Sequence, residues 1–74
     1  MSLATTPFRT PVRVTAIRGT DPASLRLMEM GVFEGAELEI RGRAPLGDPL
    51  RVRVGDYDLS LRSCDAEMID VCPA

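Results

Sequence analysis

Apolar and polar positions alternate along most of the chain. In PVRVTAI (11–17), Val12 and Val14 share one face, and Arg13 and Thr15 take the other. That two-residue period is the mark of a half-buried strand. VFEGAELEIRGR (32–43) opens with a turn in which Gly35 suits the position needing positive φ. Leu38 and Ile40 then point inward, while Glu37, Glu39, Arg41 and Arg43 point outward. PLRVRVGDYDLSLR (49–62) is a hairpin: a two-residue turn at Gly55–Asp56 pairs Val54 with Tyr57, Val52 with Leu59 and Leu50 with Leu61. Arg53 falls opposite Asp58 on the outer face.

The period changes in RGTDPASLRLMEMG (18–31), where Leu25, Leu27, Met28 and Met30 recur at helical spacing as an apolar face. Asp21 is a fitting N-cap, Pro22 sits at the first helical position, and Gly31 follows the last turn, where a left-handed cap is wanted. A helix of about nine residues is too short to stand alone and must dock on the strands. Near the end, Ser63 is a candidate cap for a single helical turn. MIDVC (68–72) is a last short strand with Ile69 and Val71 toward the core. Residues 1–11, polar and carrying Pro7 and Pro11, form a loose N-terminal arm pinned by Phe8. The expectation is a mainly β, small, partly open barrel of about five strands with one short α-helix, spanning 12–74.

At 74 residues this is one domain with a small core and little room for a walled cavity. It has no histidine for general acid–base work, no nucleophile elbow and no phosphate-binding glycine loop, so an enzyme is not expected. The formal net charge is −2, which gives no general attraction to nucleic acid or anionic lipid. No apolar run reaches the roughly 20 residues of a membrane span, and MSLATTPFRT has no leader-like apolar core. The expected location is cytoplasmic. Cys64 and Cys72 are too few to hold a metal by themselves, and their acidic neighbours are hard donors beside soft thiolates. Neither a metal site nor a cofactor is expected, nor a disulfide.

Three features stand out as candidate surfaces. RAPLGDPLRV (43–52) places Pro45, Gly47 and Pro49 between two strands. The loop is either a stiff corner that protects an edge or a preformed knob presenting Leu46, Gly47 and Asp48. The flanking strands show Arg41, Arg43, Arg51 and Arg53 outward. Any register that keeps their outer faces together sets arginines side by side, Arg41 opposite Arg51, or Arg41 opposite Arg53 with Arg43 opposite Arg51. Like charges facing each other cost stability. Val32 and Phe33 either fold back on the helix as an apolar clasp or form an exposed patch.

Taken in order, RLMEMGVFEGAELEI, APLGDPLRVRVG and LSLRSCDAEMIDV resemble the FeoA family of bacterial ferrous-iron uptake proteins, over roughly residues 12–72. Gly31, Gly35, the run Ala44 to Pro49, Gly55, Leu59, Leu61, Arg62, Ala66, Ile69 and Val71 carry the likeness. Phe33 stands where the family often has proline. The resemblance implies an SH3-like β-barrel. It also implies a cytosolic accessory that binds a membrane GTPase transporter of ferrous iron. Of the candidate surfaces, Phe33, Leu46, Gly47 and Asp48 are the expected first contact and the four arginines the second. The alternatives are a barrel that binds nucleic acid through the arginine stripe, and a weakly associating homo-oligomeric scaffold. The shortage of aromatic rings argues against the first of these.

Overall fold

The structure is a computed structural model that describes residues 1–19 and 21–74, without the Asp21 side chain. The expectation that Asp21 caps the first helix therefore lies outside the described residues. In chain order the elements are a 3-10 turn (Leu3–Thr5), β1 (Val12–Ile17), α1 (Asp21–Glu29), β2 (Glu37–Arg43), β3 (Leu50–Val54), β4 (Tyr57–Leu61), α2 (Ser63–Glu67) and β5 (Ile69–Pro73). The five strands form one antiparallel sheet in the order β4-β3-β2-β1-β5.

The strands curl around one core, and the reason is visible in their register. Between β1 and β5 the pairing slips by one residue from Val14↔Val71 to Ala16↔Asp70. Between β2 and β3 it slips from Ile40↔Val52 to Gly42↔Arg51. Each slip leaves one extra residue, Thr15 or Arg41, and such bulges bend a strand and sharpen its twist. The inner faces then meet over Val12, Val14, Leu38, Ile40, Leu50, Val52, Leu61, Ile69 and Val71, all buried. The 50–61 hairpin has the expected register throughout, with Arg53 opposite Asp58. Gly55 takes φ 62° in its turn.

α1 ends as the glycine requires. Gly31 has φ 91°, its N–H donates to the Met28 carbonyl at 3.0 Å, and the Val32 N–H donates to the Leu27 carbonyl at 2.9 Å. This pair of bonds closes a helix whose next residue is left-handed, and the fully buried Leu27 and Val32 fix the exit direction. The apolar face of α1 differs from the expectation. Leu27 is buried and Met30 partly so, but Leu25 and Met28 are 57% and 54% exposed. At about 100° per residue, Leu25 and Met28 lie on the side opposite Leu27 and Met30.

The N-terminal segment also differs. Residues 1–6 are not a loose arm: Leu3 is fully buried, Thr6 is buried, and Ser2 bridges Asp70. The Val71 N–H donates to the Met1 carbonyl at 2.7 Å, which covers the outer edge of β5. Leu3, not the half-exposed Phe8, anchors the segment.

Candidate functional site

The 44–49 loop is a corner with one free side chain. Ala44 to Gly47 form a tight turn, with the Gly47 N–H donating to the Ala44 carbonyl at 2.8 Å and Gly47 at φ 89°. The Ala44 N–H donates to the Pro49 carbonyl at 3.0 Å and closes the base. Pro45 suits the second position of such a turn because its φ is already set. Leu46 at the tip is 97% exposed. Asp48, though exposed, is engaged within the fold: its Oδ1 accepts the Ser63 N–H at 2.8 Å, the first N–H of α2. Ser63 is thus the capped residue and not the cap. The oxygen comes from a loop 15 positions earlier.

The arginines do not form a like-charged stripe. The bulge removes Arg41 from the ladder, so Glu39 faces Arg53, Gly42 faces Arg51 and Arg43 faces Leu50. Arg41 is paired with Glu39 at 2.8 Å and Arg53 with Asp58 at 3.4 Å. Arg43 lies 5.8 Å above the Phe8 ring and donates to the Gly47 and Ala4 carbonyls at 3.3 and 3.5 Å. It joins the N-terminal segment to the loop. Arg51 forms no ion pair among the described residues and lines a shallow groove with Arg43, Pro45, Pro49 and Ser60.

Val32 and Phe33 divide the two roles expected of them. Val32 is the buried clasp. Phe33 stands outside, 48% exposed, in the turn closed by the Ala36 N–H on its own carbonyl at 2.9 Å, with Gly35 at φ 93°. Its ring borders a groove shared with Ile17, Ser24, Met28 and Glu34. On its other side lies a second depression, floored by Leu38 and Val54 and edged by Glu39 and Arg53. Leu25, three residues before Met28, extends the apolar surface along α1. The Tyr57 hydroxyl donates to the Met30 carbonyl and ties β4 to the end of the helix.

Phe33 and the 44–49 loop are not one site. Val54 and Gly55 border the Phe33 depression, while Leu50 begins β3 at the loop end. Four residue steps of strand separate them, roughly 13 Å. Leu25 and Met28, assigned to the core by spacing, are the surface residues the sequence reading missed. Cys64 is exposed on α2 and Cys72 half-buried on β5, both as free thiols. Among the described residues, no three His, Cys, Asp or Glu side chains come together in a metal-binding group. No helix among them is long and apolar enough to cross a membrane.

Five antiparallel strands curled on one core, flanked by two short helices, define a small SH3-like barrel that presents an apolar patch beside its first helix. The chain belongs to the FeoA family, whose domain matches residues 1–73. It is 36% identical over 58 residues to the Fe(2+) transport protein A/Fe(2+) transporter FeoB fusion protein of Porphyromonas gingivalis, a match covering 78% of this chain and 7% of the fusion. The iron(II) transport protein A of Clostridium thermocellum superposes with a TM-score of 0.93 at 31% identity, covering all of this chain (100%) and 46% of that one. The FeoA of Stenotrophomonas maltophilia, a prokaryotic SH3-domain protein solved with zinc, superposes with a TM-score of 0.83 at 30% identity, covering 97% of this chain and 89% of that one. The chain therefore spans under half the length of the first two of these relatives.

Proposed function

We propose that this domain is a cytosolic accessory in ferrous-iron uptake, which works by docking on the cytosolic GTPase region of a FeoB-type transporter. The observation that carries the reading is the Porphyromonas fusion, in which a segment 36% identical to this chain shares a polypeptide with the transporter. The action in this reading is binding: Leu25, Met28 and Phe33 are large apolar side chains left exposed beside the first helix.

The docking face in this reading is Leu25, Met28 and Phe33. Each is about half exposed. Completing the burial of each contributes about 1 kcal/mol, and a central apolar cluster is where interfaces concentrate their energy. The bond from the Tyr57 hydroxyl to the Met30 carbonyl anchors the end of α1 to β4, so little order remains to be gained on binding. Leu46 is a separate candidate at the far end of the barrel, outside the proposed face. Asp48, with its carboxylate engaged by α2, is a poorer one. Against the nucleic-acid alternative stand the pairing of Arg41 with Glu39 and of Arg53 with Asp58.

Calorimetric titration of the transporter's cytosolic GTPase region tests the reading. Phe33→Ser and Met28→Ser are each expected to weaken binding about fivefold, the equivalent of about 1 kcal/mol, with unchanged melting. Unchanged affinity in both variants would overturn the assigned face. Absence of binding by the unaltered domain would overturn the accessory reading.

A further inference from the structure

The two edges of the sheet are treated differently. The outer edge of β5 is covered by the chain's own N-terminus through Ser2 and Met1. Among the described residues no strand lies beyond β4. An uncovered edge presents unpaired backbone donors and acceptors to any strand that can match them. A two-residue hairpin closes on a hydrogen-bonded pair, here Val54 and Tyr57, and hydrogen-bonded pairs then alternate along the ladder. The backbone groups of Asp58 and Ser60 therefore point away from β3, toward solvent.

We propose that β4 is the seam of a symmetric homodimer: two copies pair β4 antiparallel, with Leu59 on the two-fold axis and Asp58 of each opposite the partner's Ser60. Only registers that match outward-pointing residues are open to the edge, and they differ by two residues. Moving the axis to Asp58 sets two carboxylates face to face, which is unfavourable. Moving it to Ser60 sets Asp58 against the partner's Arg62. The Arg62 carbonyl already accepts the N–H groups of Asp65 and Ala66 at 3.0 and 3.1 Å, so the Asp58 N–H would go unpaired. With Leu59 on the axis, the outward N–H and C=O groups of both Asp58 and Ser60 are all used.

Side chains favour the same register. On the outer face Arg51 is the cross-strand neighbour of Ser60, and Arg53 that of Asp58. Pairing two copies makes a row of Arg51, Ser60, the partner's Asp58 and the partner's Arg53. Arg51, which forms no ion pair among the described residues, gains a carboxylate across the small serine. Arg62 comes opposite the partner's Asp56. On the inner face the half-buried Leu59 meets its symmetry mate and loses its remaining exposure. The seam is short, so the dimer is weak and forms at high concentration.

Cysteine cross-linking tests the register directly, in a background carrying Cys64→Ser and Cys72→Ser. With diamide as oxidant, Leu59→Cys is expected to form a disulfide-linked dimer. Should that variant melt early, the surface pair replaces it: Asp58→Cys mixed with Ser60→Cys is expected to cross-link, and either alone is not. In sedimentation equilibrium the unaltered chain is expected to move from 8.1 kDa toward twice that mass as it is raised to millimolar concentration. Arg51→Glu is expected to raise the required concentration about fivefold. A monomer at millimolar concentration would overturn the proposal. So would cross-linking of Asp58→Cys alone or Ser60→Cys alone as fast as the mixture.

Discussion

Replacing Asp48 by alanine separates the two roles that a stiff exposed loop can have. In the fold, the Asp48 Oδ1 accepts the Ser63 N–H at 2.8 Å. No side chain from the residue flanking α2, Arg62, does this work. Asp48 is therefore the cap of α2, supplied from another part of the chain. Losing such an oxygen costs about 1 kcal/mol, with the ionised acceptor raising the figure and its solvent exposure lowering it. The loss reaches the core because α2 carries the fully buried Ala66 and touches the N-terminal 3-10 turn. In a domain this small, about 1 kcal/mol lowers the melting temperature by roughly 4–8 °C. Thermal and urea melts followed by circular dichroism read it. Asp48→Asn keeps a carbonyl acceptor and is expected to recover about half the loss. Leu46→Ala, two residues away at a fully solvated tip, is expected to stay within about 0.5 kcal/mol of the unaltered domain. An Asp48→Ala domain that melts with the unaltered one would refute the capping role and return Asp48 to the candidate contact surface.

Four further substitutions probe the packing, each read by urea melts. Leu27→Ala is expected to cost about 2–5 kcal/mol and Leu25→Ala under about 0.5, although both sit on α1; similar losses would mean the helix is rotated from its described orientation. Leu3→Ala is expected to cost about 2 kcal/mol or more, and a neutral result would restore the loose arm. Gly31→Ala is expected to cost about 2 kcal/mol, since φ 91° disfavours a side chain and a methyl there would collide with the Tyr57 hydroxyl; a melt unchanged from the original would contradict the described cap.

The 50–61 hairpin was legible residue by residue because two independent constraints agree on it. The turn length sets the register, and alternation sets the facing, so a slip of one residue would violate both. Gly31 and Gly35 were legible for a similar reason: each follows an element that must reverse, and only glycine takes positive φ without strain. The misread features are those that depend on non-local partners or on one extra residue. Strict alternation runs through Arg41 as though it were paired, so the bulge that disperses the arginines left no mark in the pattern. Four apolar residues on a nine-residue helix and the position after it form two opposed pairs, and spacing alone does not say whether Leu25 with Met28 or Leu27 with Met30 faces the sheet. The Asp48–Ser63 bond joins segments 15 residues apart, and nothing in either segment names the other. Leu3 sits in a short N-terminal segment with no alternating pattern, and it is buried where β5 and α2 pack on the turn that carries it.

The most direct test of the central claim is an NMR titration of the nitrogen-15-labelled domain with the cytosolic GTPase region of the transporter from the same organism, with and without nucleotide. Docking through the α1 face predicts amide shifts concentrated between Ser24 and Glu34, strongest near Met28 and Phe33, with the 45–48 loop and β4 little changed. Shifts confined to the loop or to β4, or no shifts at a partner concentration near millimolar, would contradict it.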